Sequence, residues 1–75
     1  MTPARWRWQL VDGTGAVLED NLGPGFGSRF DAESWLGERW RSVAAEAGEP
    51  RGLAAQLFRD DHPVGPPVLL RDPEA

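Results

Sequence analysis

The sequence predicts an α+β fold of order ββαββ, one amphipathic helix packed on a four-stranded antiparallel sheet. Three observations predict it. Residues Arg5 to Val11 alternate between apolar and polar with a period of two, the pattern of a strand with one buried face. Ala32, Leu36, Trp40, Val43 and Ala47 recur at three- and four-residue steps, which is the apolar stripe of a helix. Two further short apolar runs, 53–59 and 68–71, follow the helix and are separated by turn-forming residues. A chain of 75 residues is expected to form a single domain over 1–75, with an ordered core over about 4–71.

In the first strand Trp6, Trp8 and Leu10 share one face, and Arg5, Arg7, Gln9 and Val11 the other. Asp12-Gly13-Thr14-Gly15 is rich in residues that tolerate hairpin turns, so Ala16 to Asp20 reads as the return strand. A two- or four-residue turn places Val17 on the tryptophan face, and a three-residue turn places Leu18 there instead. The first register is preferred. Asn21 to Ser28 is glycine-rich and reads as a connection, with Asp31 as the helix N-cap and Phe30 and Trp35 as a hydrophobic staple. The helix is expected over Ala32 to Ala47, ended by Gly48 and Pro50. Leu53 to Arg59 reads as the third strand, Asp60 to Gly65 as a turn, and Val68 to Arg71 as the fourth strand. Pro66 and Pro67 are tolerated only at a strand start or an edge. The expected core is Trp6, Trp8, Leu10, Val17, Leu36, Trp40, Val43, Ala47, Ala55, Leu57, Val68 and Leu70.

Small chains bury a modest share of their surface, so this domain needs a rich core, a staple or a partner. It has no cysteine, which excludes disulfides, but its four tryptophans can each bury roughly 150–250 Å². The formal charge of −4 opposes binding to nucleic acid and anionic membranes. All eight basic residues are arginine, a side chain suited to planar contacts with carboxylate, phosphate and aromatic groups. No stretch approaches the roughly 20 apolar residues of a membrane span. The first residues lack the apolar core of a signal peptide, so a cytoplasmic location is expected.

Trp6-x-Trp8-x-Leu10-x-Asp12-Gly13, followed by Asp31-Ala32-Glu33-Ser34-Trp35-Leu36-Gly37-Glu38-x-Trp40, resembles a group of short proteins of high-GC actinobacteria. The resemblance implies a shared fold and origin. The group carries no assigned activity, so it implies no site residues. The Gly23-Pro24-Gly25-Phe26-Gly27 segment and the Pro66-Pro67 pair depart from that pattern.

Catalytic, cofactor and metal sites are not expected. Gly23-x-Gly25-x-Gly27 precedes a helix as phosphate loops do, but Asp31 places a negative charge at the helix start and no lysine follows. His62, beside Asp60 and Asp61, is the only histidine, and a metal needs three or four converging ligands. Ser28, Ser34 and Ser42 carry no nucleophile signature, and the acidic pairs Asp31/Glu33 and Asp60/Asp61 read as capping and solubility charges.

Two surfaces remain. The sheet face opposite the tryptophans is expected to display Arg5, Arg7, Gln9, Gln56, Phe58, Leu69 and Arg71. That mixture suits a protein interface, where arginine and aromatics are enriched, or stacked single-stranded RNA. Gly37 in mid-helix costs about 1 kcal/mol relative to alanine and shares a smooth flank with Ala44, where a second backbone can approach. The expected function is therefore a non-catalytic binding or adaptor module that contacts a protein partner and forms a homodimer. The alternative is an RNA- or ribosome-associated factor using Arg5, Arg7, Phe58 and Arg71.

Overall fold

A computed structural model describes residues 5–48 and 52–70, and has the expected α+β architecture of one helix on a four-stranded antiparallel sheet. Its elements are β1 (Trp6–Val11), β2 (Val17–Phe26), α1 (Arg29–Ala47), β3 (Ala54–Arg59) and β4 (His62–Leu69). The sheet order is β2-β1-β3-β4, so the two prettily alternating strands lie in the centre and the proline-bearing ones at the edges. Edge placement is what lets Pro24, Pro63, Pro66 and Pro67 stand in strands without an N–H to donate.

Alternation fixes the two faces of the sheet. Trp8 stands opposite Leu57 and Leu10 opposite Ala55, all buried beneath α1. Arg7 stands opposite Phe58 and Gln9 opposite Gln56 on the face turned away from it. From the helix come Ala32, Leu36 and Val43, all buried. The largest buried side chain, Trp8, is 2% exposed, and its indole Nε1–H donates to the Ala32 carbonyl at 2.7 Å. This bond satisfies the one polar atom of the indole in the core and ties the sheet to the first turns of the helix.

The helix begins earlier than its stripe implied. Ser28 is the N-cap, and its hydroxyl oxygen accepts from the Asp31 amide at 3.1 Å. Asp31 thus sits in the first turn, where its charge complements the helix dipole. With the cap moved three residues back, Phe30 falls inside the helix and is 76% exposed, so the expected staple with Trp35 does not form. Trp35 packs instead on Phe26, with ring centroids 5.6 Å apart. Gly48 ends the helix in the left-handed conformation, and Pro50 lies outside the described residues.

The first hairpin adopts the register that was not preferred. Asp12 N–H donates to the Ala16 carbonyl at 3.0 Å, which leaves a three-residue turn and pairs Val17 with Val11 on the face away from the helix. Val17 is therefore 52% exposed and outside the core, and Leu22 packs on the core from β2 in its stead. The Asp12 carboxylate holds the turn by accepting from the Thr14 amide, the Thr14 hydroxyl and the Ala16 amide.

β2 then continues through the segment read as a connection. Its ten residues face six of β1 through three register shifts, so the strand is bulged rather than broken. Gly23, with φ of +87°, lies under Trp35, and a Cβ there would stand 3.1 Å from the indole. Similarly, the β3–β4 turn is only Asp60-Asp61, and β4 starts at His62. Gly65, Pro66 and Pro67 bulge out between the Leu57–Val64 and Ala55–Val68 pairs. The Gln56 amide closes that bulge by donating to the carbonyls of Val64 and Gly65, at 3.3 and 3.1 Å. On this edge strand Val68 is 44% exposed and falls outside the core.

Candidate interaction surfaces

The face turned away from α1 brings together four of the six residues expected to form a binding surface. Arg7, Gln9, Gln56 and Phe58 are neighbours there, each half-buried. Arg5 lies just before β1, its backbone locked to the β3–β4 turn by a 3.0 Å bond to the Asp60 carboxylate and a 2.7 Å bond from the Asp60 amide. Arg71 lies outside the described residues.

Each of the four polar or aromatic groups on this face is already engaged. The Arg7 guanidinium lies 4.4 Å from the centre of the Phe58 ring and 3.6 Å from the Asp20 carboxylate. Gln9 donates to the same carboxylate at 2.9 Å. Gln56 is turned into its own bulge. A base stacking on Phe58 would first have to displace Arg7, losing a cation–π contact of roughly 0.5–1 kcal/mol together with the pairing to Asp20. Beyond this cluster runs an apolar row, Val17, Val11, Ala54 and Leu69, crossing all four strands.

The second surface lies on the other side of the sheet. α1 rests on β1 and β2, leaving β4 open along its flank. Between helix and strand runs a groove of about 310 Å³. Glu33, Gly37 and Trp40 form its helical wall, Val68 its strand wall, and the buried Trp8, Leu36 and Leu70 its floor, while the Leu69 side chain belongs to the opposite face. A Cβ at Gly37 would meet no atom within 4 Å, so no loop of the described chain explains the glycine. Ala44 has a different setting, since it is half-buried and packed against the core. The flank is thus smooth at Gly37 and filled at Ala44. Sequence pattern marked Gly37 as unusual but missed the groove, because the strand wall depends on the β3–β4 register.

The remaining candidates do not assemble. The Gly23 to Gly27 segment is mostly bulged strand, with Gly23 set against Trp35, and the helix it precedes is capped by Ser28. His62 is exposed opposite Arg59 in the hairpin. Among the described residues no group of three or more His, Cys, Asp or Glu could hold a metal, and no helix is long and apolar enough to cross a membrane.

One carboxylate stands apart electrostatically. The Thr14 hydroxyl, and after it the Thr14 amide, hold the Asp12 carboxyl below its ordinary value. Its partners are all within its own turn, so the shift belongs to hairpin geometry. No protein-family model, curated protein or solved structure matches the chain.

Proposed function

We propose that the chain is a small, non-catalytic binding module of the cytoplasm that works through protein–protein contacts. The observation that carries this reading is the apolar groove between α1 and β4, rimmed by Val68, which is 44% exposed. Exposed apolar surface bordering a preformed groove is costly to leave in water, and a protein partner removes that cost. The Arg and aromatic face offers less, because Arg7, Gln9 and Gln56 already have partners within the chain.

The net charge of −4 supports the same order of preference, protein ahead of nucleic acid. Self-association through the Gly37 flank is the competing form of protein contact, and sedimentation over a hundredfold concentration range distinguishes it from binding to a different protein. The general reading is tested by capturing partners of the tagged chain from host lysate, with and without ribonuclease. A discrete protein that survives the treatment supports it. Recovery of RNA or ribosomal material that vanishes with ribonuclease contradicts it.

A further inference from the structure

Resting on that reading, we infer that the α1–β4 groove docks one amphipathic helix of a different protein, with apolar side chains seated in the groove and a basic residue at Glu33.

The form of the occupant follows from the edge it must meet. Peptides add to proteins either as an extra strand on a sheet edge or as a helix in a groove. Strand addition needs a row of free N–H groups, and β4 has proline at positions 63, 66 and 67, with a bulge over 65–67. An extended segment laid along this edge would find too few donors. A helix satisfies its own backbone and needs none. Gly37 supplies the other requirement, because a bare Cα on the groove wall lets a second helix approach to the roughly 8 Å end of the packing range.

Charge gives the partner its sign. Among the described residues Glu33 is the one charged side chain lining the groove, and it sits on a chain of net charge −4. Its bond to Arg29, at 3.3 Å, joins two side chains that are each about half exposed, so water screens it and leaves Glu33 able to take a second cation. An Arg or Lys on the rim of the docked helix complements it.

A second copy of this chain does not fit the role. The one helix among the described residues has already spent its apolar stripe, with Ala32, Leu36 and Val43 buried on its own sheet. The outer side of that helix carries Glu38, Arg39, Arg41 and Glu46, and a single exposed aromatic, Phe30, does not make a stripe.

Two synthetic amphipathic helical peptides, identical in their leucine stripe but with lysine or glutamate on the polar face, test the inference by amide shift mapping and fluorescence. The lysine peptide is expected to bind at least tenfold more tightly than the glutamate one and to shift Gly37, Trp40 and Val68. Gly37→Leu should weaken it at least tenfold while leaving the fold intact, since the site has open space and an ordinary helical backbone. Glu33→Lys should abolish or invert the charge preference, and Glu38→Lys, away from the groove, should leave it in place. No binding of either peptide at millimolar concentration, equal binding of both, or indifference to Gly37→Leu overturns the inference. So does self-association that Gly37→Leu abolishes. If lysate capture yields a ribonuclease-resistant protein whose binding ignores Gly37→Leu, the inference fails and the protein-binding reading stands.

Discussion

Replacing Trp8 with phenylalanine tests how the helix is fastened to the sheet. The indole is 2% exposed, and its N–H donates to Ala32 at 2.7 Å. Phenylalanine keeps an aromatic ring at the site but loses the donor and one ring's worth of volume. The lost hydrogen bond is worth about 1 kcal/mol. The lost apolar burial, roughly 40 Å² at 25 cal/mol per Å², is worth about 1 kcal/mol more. A residual cavity raises the sum to about 2–3 kcal/mol. Domains of this size have total stabilities of only about 4–11 kcal/mol, so the variant should fold but lose a large fraction of its margin. Urea denaturation followed by circular dichroism reads the change directly, and the thermal midpoint should fall by about 10–20 °C. Trp40→Phe is the control, because Trp40 is half-buried at the groove wall, and it should cost about 1 kcal/mol or less. A Trp8→Phe cost below about 0.5 kcal/mol, or an equal cost at both sites, would refute the anchoring argument.

Four other outcomes follow from the same structure. Ser28→Ala should cost about 1 kcal/mol and Asp31→Ala only a few tenths, the reverse of what an Asp31 cap requires; denaturant midpoints decide between them. Gly52→Ala should cost about 2 kcal/mol or more, since φ is +73° and the new Cβ would stand 2.6 Å from the Cα of Gly13. Gly37→Ala should raise stability by about 0.5–1 kcal/mol in the same assay, because nothing obstructs the added methyl and helix propensity improves. Asp12 has a folded-state pKa below its unfolded value, so its contribution is present above pH of about 3.8 and is lost as pH falls through the folded value. The stability difference between the wild type and Asp12→Ala should therefore shrink on acidification below that pH, and a constant difference would contradict the hairpin role.

Much of the fold was legible because single residues carry one meaning. The Trp6, Trp8 and Leu10 alternation has one amphipathic solution, and the Ala32, Leu36 and Val43 spacing admits one buried helical face. What was not legible depended on bulges. Four extra residues in β2 relative to β1 are invisible to a period-two pattern, and they turn a glycine-rich connection into strand. The Ser28 cap was hidden behind Asp31, an equally good capping residue closer to the apolar stripe. At the surfaces, pattern put Arg7, Gln9, Gln56 and Phe58 on one face correctly. It did not reveal that Asp20, from the bulged strand, would occupy two of them. The groove was beyond reach, since Gly37 and Val68 come to line one groove only through tertiary placement.

The most direct test of the groove as the working surface is capture from host lysate with three baits, wild type, Gly37→Leu, and the Arg5→Glu with Arg7→Glu pair, each treated with ribonuclease. The account predicts one protein partner that survives ribonuclease, is retained by the arginine variant and is lost from the Gly37→Leu bait. Material lost with the arginine variant and removed by ribonuclease, but retained by Gly37→Leu, would contradict it and move the function to the opposite face of the sheet.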